Sequence, residues 1–322
     1  MTIVRQPTRA GVRDAAAKIA AILPQTPLLT AEIRGIQVAF KAESLQPIGS
    51  FKVRGAWHRL TALEDAAREK GVVAFSSGNH AQGVAWAAKR LGIPAVIVMP
   101  SDAPRVKRDA TLALGAEVVS YDRATENREK IAAHLAHARG ATLVPSFDDA
   151  WVIEGQGSVG IESMTQMVEM KLPDPERVIV PCGGGGLSAG LALALPESEI
   201  VTVEPEGWDD MRRSLDSGWI ESVADDAPPT ACDALQTRQV SPLTFDVLSR
   251  RGTLGVAVSE AEVREAQRWA ARALKLVLEP GGAVALAAVL ARRVEPRPGT
   301  LVILSGGNAD PEAYAAVLAG SD

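Results

Sequence analysis

The sequence predicts an α/β protein in which open, twisted, parallel-rich sheets are flanked by helices. Short apolar runs of strand length alternate with amphipathic segments of helical length along most of the 322 residues. Strands interleaved with helices in this way form parallel sheets covered on both faces. Polar or glycine-rich clusters also follow three of the strands directly, at the edge where such sheets bind ligands.

The individual elements follow from local patterns of apolar and turn-forming residues. Apolar, β-branched runs predict strands at residues 38–42, 72–76, 95–99, 117–120, 178–182, 200–203, 254–258 and 301–304. Helical periodicity predicts helices at residues 81–91, 126–138 and 260–274. Gly92 ends the first helix, and Ser259 with Glu262 forms a capping box for the last.

The order of these elements predicts two domains. Residues 53–143 form a compact series of βα units, which predicts a small inserted α/β domain. Residues 1–52 and 144–322 then form the large domain. Ligands of such proteins bind in the cleft between domains and beyond the carboxyl ends of strands.

Composition excludes several classes of function. The net charge is −5 with acidic and basic residues interspersed, so no basic tract predicts nucleic-acid or anionic-membrane binding. The two cysteines are too few for a disulfide framework. The uncharged stretch 178–196 is interrupted by glycines and prolines, which favours a strand, a turn and a helix over a membrane span. A cytoplasmic protein without a membrane segment is expected.

Lys52 is the first candidate for chemistry. It lies between Phe51 and Val53, and apolar neighbours favour the neutral amine, which attacks carbonyl groups. Taken alone, the same pattern also fits an ordinary lysine on the first turn of an amphipathic helix.

Three clusters directly after strands complete the candidate set. Ser76-Ser77-Gly78-Asn79-His80 offers hydroxyl, amide and backbone N–H donors to an anion. Gly183-Gly184-Gly185-Gly186-Leu187 lets backbone N–H groups converge on a phosphate. Ser305-Gly306-Gly307-Asn308 places a hydroxyl beside a flat backbone surface, where it can meet a heteroaromatic nitrogen. A weaker alternative is a dinucleotide site, since residues 184–189 fit G-x-G-x-x-A and Glu204 follows.

Together these motifs resemble those of the fold-type II pyridoxal-phosphate enzymes, in the branch of threonine/serine dehydratases and serine racemases. The resemblance covers nearly the whole chain and keeps the family's order of motifs. They are S-F-K-x-R-G-A at 50–56, S-S-G-N-H-x-Q at 76–82, G-G-G-G-L at 183–187, E-P-x-x-A at 279–283 and S-G-G-N at 305–308.

The resemblance implies roles for these residues. Lys52 would form a Schiff base with pyridoxal 5′-phosphate and later move the substrate's α-proton, with Phe51 beside the ring. Asn79 would bond the ring's 3-oxygen and Ser305 would face the ring nitrogen. The phosphate would be held by the backbone N–H groups of Gly183, Gly184, Gly185, Gly186 and Leu187. A serine at the ring nitrogen makes the cofactor a weaker electron sink, which suits β-elimination.

The substrate and a cation are implied in the same way. The substrate carboxylate would lie among Ser76, Ser77, Asn79 and His80, and in racemase relatives the serine matching Ser77 is the second acid/base. The family's divalent-cation segment would correspond to Glu204, Asp210 and the Trp208 carbonyl, with Mg²⁺ or Ca²⁺ as the ion.

These inferences predict a pyridoxal-phosphate-dependent ammonia-lyase that removes the β-hydroxyl of L-threonine or L-serine, giving a 2-oxo acid and ammonia. Alternatives on the same scaffold are a serine racemase and a 3-hydroxyaspartate dehydratase. Alternatives of other classes are a nicotinamide-dependent oxidoreductase and a catalytically silent binding protein. The family also implies a homodimer.

The roles of two residues leave the identity of the substrate undecided. Glu154 stands where relatives often have alanine, and it could alter substrate preference if it faces the pocket. Arg128 corresponds roughly to a residue that meets a second carboxylate in some relatives, although a salt bridge within its own helix is the favoured interpretation. If Arg128 enters the pocket, 3-hydroxyaspartate becomes a candidate substrate.

Overall fold

The computed structural model describes residues 5–76, 78–103 and 105–320, with the backbone alone at 105 and 106. Within these residues, ten strands form two sheets. The six-stranded sheet contains, in spatial order, β1 (Leu28–Ile33), β2 (Ile36–Ala42), β10 (Thr300–Leu304), β7 (Arg177–Pro181), β8 (Glu199–Pro205) and β9 (Leu254–Val258). Only β1 and β2 pair antiparallel in this sheet, and the other neighbours are parallel.

The four-stranded sheet is entirely parallel. In spatial order it contains β5 (Glu117–Tyr121), β4 (Ala95–Pro100), β3 (Val72–Phe75) and β6 (Thr142–Leu143). All of its strands come from the part of the chain that the sequence assigns to the small domain. The domain boundaries themselves stay a prediction.

Helices cover both sheets. They are α1 (Arg9–Ala20), α2 (Lys52–Thr61), α3 (Asp65–Lys70), α4 (Asn79–Leu91), α5 (Arg105–Ala113), α6 (Arg128–Arg139), α7 (Ala150–Glu169), α8 (Gly186–Ala194), α9 (Asp210–Ser217), α10 (Pro242–Arg250), α11 (Glu260–Trp269), α12 (Pro280–Leu290) and α13 (Pro311–Ala319).

The hydrophobic core divides according to the faces of the sheets. On one face of the large sheet, Phe40 and Val302 pack with residues of α11 and α12. On the other face, residues of α7, α8 and α10 pack against Val178 and Ile303. The small sheet also has an apolar cluster on each face. The predicted layered α/β architecture is therefore confirmed.

The predicted elements agree closely with the observed ones. All eight predicted strands are present, and their ends differ by two residues or fewer. The capping box of Ser259 and Glu262 is present at α11. The helix predicted over 260–274 is wrong in its last turn, because residues 270–274 form a π-helical turn that ends at Lys275 with φ 60°. The sequence also missed β1 and β6.

The uncharged stretch 178–196 forms β7, the glycine turn and α8, as predicted. No helix in the described part of the chain is long and apolar enough to cross a membrane.

Candidate active site

The segment before Lys52 pairs with the segment that follows β10. Ser50 bridges Gly306 antiparallel, and the Phe51 N–H donates to the Ser305 carbonyl at 3.1 Å. The Gly307 N–H donates to the Gly49 carbonyl at 2.9 Å. Two motifs separated by about 250 residues in sequence are thereby placed side by side.

Helix α2 begins at Lys52 and is held by close contacts with α4 and α7. A Cβ atom on Gly83 of α4 would lie 3.0 Å from the Lys52 carbonyl oxygen. One on Gly155 of α7 would lie 2.6 Å from the Cα of Gly55. The three helices can approach this closely because both positions carry only hydrogen. The backbone at Lys52 is therefore fixed from two sides.

Lys52 lines a cavity that lies between the two sheets. The lining residues are Phe51, Lys52, Asn79, Ser146, Phe147, Pro181, Gly183, Gly184, Gly185, Gly186, Leu187, Ala234, Leu235, Thr237, Glu279 and Ser305. Every residue that the sequence assigns to the cofactor lines this one cavity.

The environment of the Lys52 amine favours its neutral form. Its Nζ atom donates to the Ser146 carbonyl at 3.1 Å and lies 5.1 Å from the centre of the Phe51 ring. Burial lowers the pKa of Lys52 to about 8, and the nearby Glu279 carboxylate partly opposes the shift. At neutral pH a larger fraction of this amine is therefore unprotonated than in an ordinary lysine.

The four-glycine turn forms an open cradle between β7 and α8. Gly185 has φ +84°, and a Cβ there would lie 2.8 Å from the Met211 side chain, so a larger residue is excluded. The turn leads into the N-terminus of α8, where free N–H groups and the helix dipole attract anions. Thr244 Oγ1 donates to the Gly184 carbonyl at 2.8 Å and fixes the turn from outside.

The cluster after β3 is only partly in the cavity. Asn79 lines the cavity, whereas the Ser76 hydroxyl accepts the Gly78 N–H at 3.2 Å. The His80 ring is not part of the lining, and its Nε2 bonds the Val144 carbonyl at 2.9 Å. Burial, with the Lys52 charge, lowers the pKa of His80 to about 3, so its ring is neutral. Ser77 lies outside the described residues.

Sequence reasoning assigned no role to four cavity residues that carry polar or aromatic groups, namely Ser146, Phe147, Thr237 and Glu279. Glu279 belongs to the E-P-x-x-A motif, but the motif alone gave it no role. Phe147 packs against the glycine turn, where a Cβ on Gly184 would lie 2.3 Å from its ring. Thr237 lies in a segment without a motif. Phe147 follows β6 at the same sheet edge as the Ser76 cluster, but β6 is too short to be predicted, so this position could not be found from the sequence.

Comparison with known proteins identifies the family. The family described as "Pyridoxal-phosphate dependent enzyme" matches residues 19–306. The chain belongs to this family. It is therefore an enzyme with an α/β fold of type II, and its cofactor is pyridoxal phosphate.

Relatives of this family member have three different activities. An L-threo-3-hydroxyaspartate ammonia-lyase from Pseudomonas sp is 41% identical, covering 96% of this chain and 98% of the relative. A serine racemase from Schizosaccharomyces pombe is 37% identical, with 96% of each chain covered. The crystal structure of a T.th. threonine deaminase has a TM-score of 0.87 and 42% identity, covering 94% of this chain and 99% of that chain.

Arg128, at the first position of α6, is not in the expected salt bridge. Among the described side chains it has no ion pair, and its guanidinium lies over the Phe75 ring at 5.6 Å. Phe75 ends β3 and directly precedes Ser76, the first residue of the predicted carboxylate site, although neither Arg128 nor Phe75 is among the residues that line the cavity. The favoured interpretation of Arg128 as a helix ion-pair partner is therefore wrong.

Glu154 does not face the cavity. It is fully buried, and its carboxylate accepts hydrogen bonds from Arg5 at 2.7 and 3.0 Å. The Thr8 N–H donates to it at 2.9 Å. Glu154 thus holds the segment before α1, and it is not among the residues that line the cavity.

Proposed function

We propose that this family member is an ammonia-lyase that acts on 3-hydroxyaspartate, releasing oxaloacetate and ammonia. The observation that carries the proposal is the position of Arg128 beside Phe75, without an ion pair in the described part of the chain. The identity with the Pseudomonas relative supports the same substrate. Elimination from L-threonine or L-serine, which the sequence favoured, is the competing possibility.

Arginine suits this role for a geometric reason. A guanidinium offers paired N–H donors to a carboxylate, and the interaction is strongest where water is partly excluded. Arg128 is half-buried, and the Phe75 ring supports its planar group. A substrate with a β-carboxylate would supply the missing negative charge, whereas serine and threonine would leave the guanidinium unpaired.

The residues that line the cavity fit pyridoxal phosphate. The glycine turn with Leu187 would hold the phosphate, Asn79 would meet the 3-oxygen, Ser305 the ring nitrogen, and Phe51 the ring face. When bound, the cofactor withdraws electron density from the substrate's α-carbon. A cradle that a Cβ would fill, next to an amine with a lowered pKa, supports this arrangement.

Lys52 would bind the cofactor covalently and act as the base at the substrate's α-carbon. Its amine is held by the Ser146 carbonyl, which orients the lone pair. A pKa of about 8 keeps the amine able both to accept and to release a proton near neutral pH. Loss of the β-hydroxyl and hydrolysis of the resulting enamine would give the 2-oxo acid and ammonia. Ser77 as a second acid/base, and hence racemisation, stays a prediction.

A divalent cation near Glu204 and Asp210 is part of the proposal. Both carboxylates are buried, and within the described part of the chain neither side-chain oxygen of Asp210 has a hydrogen bond of normal geometry. Burial, with the Asp210 charge, raises the pKa of Glu204 well above its usual range. Only two carboxylates meet here, and the described residues hold no group of three or more His, Cys, Asp or Glu side chains. The third ligand would be the predicted Trp208 carbonyl.

The test measures 2-oxo-acid release from L-threo-3-hydroxyaspartate, L-serine and L-threonine by the enzyme loaded with cofactor and Mg²⁺. We expect Arg128→Ala to lower kcat/KM for hydroxyaspartate about 100-fold, because the second carboxylate loses its partner. The kcat/KM values for serine and threonine should change less than about 3-fold. Arg139→Ala, on the other end of α6, is the matched control because its partner is the exposed Glu117.

Two results would contradict the proposed substrate. One is a wild-type preference for L-threonine or L-serine that Arg128→Ala does not change. The other is formation of a D-amino acid faster than release of the 2-oxo acid, which would make the enzyme a racemase.

A further inference from the structure

Four polar groups form a chain of hydrogen bonds at the side of the cavity, which we name the Asn79 relay. The Asn308 side-chain nitrogen donates to the Ile48 carbonyl at 2.9 Å and to the Asn79 Oδ1 at 2.7 Å. The Asn79 side-chain nitrogen donates to the Glu279 Oε1 at 2.6 Å. The relay joins residues from three separate motifs.

The relay has one direction, which its two ends determine. A backbone carbonyl can only accept, so the Asn308 atom that faces Ile48 must be the nitrogen. The same nitrogen reaches Asn79, which must therefore present its oxygen on that side. The Asn79 nitrogen then faces Glu279, whose carboxylate accepts. The orientation of the Asn79 amide is thus defined at both of its ends.

This orientation leaves one N–H of Asn79 available. The amide nitrogen carries two hydrogens, and Glu279 takes one of them. Asn79 also lines the cavity. A rotated amide would present its carbonyl instead, which would repel the electron-rich 3-oxygen of the cofactor. The relay therefore decides whether Asn79 attracts or repels that atom.

Glu279 is built into its position. It is the residue immediately before α12, it is 2% exposed, and a Cβ on Gly306 would lie 2.0 Å from its Oε1. Gly306 follows Ser305, so the third cluster makes room for this carboxyl. Burial raises the pKa of Glu279 to about 7, and the Asp233 charge adds to the shift. An acceptor oxygen remains in both protonation states.

We propose that Glu279 and Asn308 are positioning residues that hold the amide of Asn79 so that it donates to the cofactor's 3-oxygen. The inference rests on the proposed function only for the contact between Asn79 and the cofactor, and it is independent of the substrate. It gives a role to the E-P-x-x-A motif and to the asparagine of S-G-G-N, which the proposed mechanism leaves unused.

The test measures the visible absorption spectrum and the dissociation constant of pyridoxal phosphate, without substrate. Asn79→Ala should change the ratio of the cofactor's absorption bands and raise the dissociation constant about 10-fold. Glu279→Ala should reproduce both effects, and adding it to Asn79→Ala should change them less than about 3-fold further. Glu279→Gln keeps an acceptor oxygen and should restore values within about 3-fold of wild type.

Gln267→Ala is the matched control. Gln267 is buried and donates to the Leu278 carbonyl at 2.8 Å, so it supports the same segment without contacting Asn79. It should leave the spectrum unchanged. Should Glu279→Ala not fold, as judged by circular dichroism, the half-buried Asn308 provides a second probe through Asn308→Ala.

An unchanged spectrum in both Glu279→Ala and Asn308→Ala would overturn the proposed role of the relay. The same holds if the effects of Glu279→Ala and Asn79→Ala on the dissociation constant add fully in the double variant. Failure of the proposed substrate can be distinguished from failure of the relay. The first would appear only in the turnover of the three substrates, whereas the cofactor spectrum and dissociation constant would still change as expected. A wild-type protein that binds no cofactor would refute both.

Discussion

Lys52, His80 and Glu279 are ionisable groups whose surroundings favour the neutral form. Burial lowers the pKa of Lys52 and His80 and raises that of Glu279. Their unperturbed values would make all three charged in slightly acidic water. The surroundings thus shift all three groups toward the neutral form, and this is the setting in which a lysine can act as base and nucleophile.

The lowered pKa of Lys52 has a consequence for stability. Between about pH 8 and the usual lysine value near 10.4, the unfolded chain binds a proton at Lys52 that the folded apoprotein does not. The contribution of Lys52 to the free energy of unfolding therefore rises with pH across that window. We expect apo Lys52→Met to be more stable than wild type at pH 7.5 by roughly 1–3 kcal/mol, and the difference to shrink by pH 10.

Denaturant unfolding of the two apoproteins at several pH values measures this difference. Lys130→Met, at an exposed position of α6, serves as the control and should show no such dependence. A Lys52→Met difference that is constant from pH 7.5 to pH 10 would contradict the lowered pKa. Lys52→Ala is expected to abolish turnover while leaving the fold intact.

The candidate site could be predicted from sequence wherever the chemistry lies within a short motif. Lys52, the glycine turn and Ser305 each have neighbours that indicate a role, and all line the cavity. Glu279 could not be assigned, because its role depends on Asn79, 200 residues away. His80 shares a motif with Asn79, but its ring is directed to Val144, which no local pattern indicates.

At the level of helices and turns, an ion pair connects α5 with a turn that contributes to the cavity lining. Lys107 of α5 bonds Asp233, in the short turn Asp233–Leu235 of the large-sheet part. Leu235 lines the cavity, and Lys107 Nζ lies 3.8 Å from the Cβ position of Gly78. The pair therefore links α5 to a segment that lines the cavity.

Removing this ion pair should affect substrate binding more than chemistry. Asp233 is 44% exposed on its side chain, so we expect the pair to contribute about 1 kcal/mol. Asp233→Asn should then raise KM about 5-fold and change kcat less than about 2-fold. The increase in KM should be smaller at high salt. Steady-state kinetics at two salt concentrations checks this.

Asp225→Asn is the control, because Asp225 forms an exposed ion pair with Arg238 away from the cavity lining. Equal effects of the two variants on KM would argue against a role for the Lys107–Asp233 pair in substrate binding.

The elements themselves were predictable where their patterns are long. The eight predicted strands have runs of apolar and β-branched residues, whereas β6 has only two residues and carries too little pattern. The change from α-helix to π-helical turn after Trp269 was not predictable, because the helical periodicity continues through it. Lys275, with a left-handed backbone, ends the turn without the usual glycine.

At the level of the whole molecule, the segment proposed to bind a cation lies behind the glycine turn. Glu204 accepts the N–H groups of Met211 and Arg212 at 3.0 and 2.8 Å, and Met211 packs on Gly185. A cation there would link β8, α9 and the cofactor cradle. The predicted homodimer stays a prediction.

Cation binding should therefore stabilise the fold. At 100 times the dissociation constant, a ligand specific for the folded state adds about 2.7 kcal/mol, which corresponds to a Tm increase of roughly 5 °C. We expect Ca²⁺ or Mg²⁺ to raise Tm by this amount and Asp210→Asn to abolish the increase. Differential scanning calorimetry of chelator-treated protein checks both.

Asp216→Asn, at an exposed position of the same helix, is the control and should keep the cation effect. A chelator-treated protein whose Tm does not respond to either ion would contradict the site.

The central place of β10 in the large sheet has a consequence for biosynthesis. This strand lies between β2 and β7, yet it follows every other described strand along the chain. During translation the large sheet is therefore divided until residues near 305 leave the ribosome. Phe51 also has no partner carbonyl before then. The site therefore cannot close around the cofactor before β10 has been made, and nascent chains released earlier would lack a closed site.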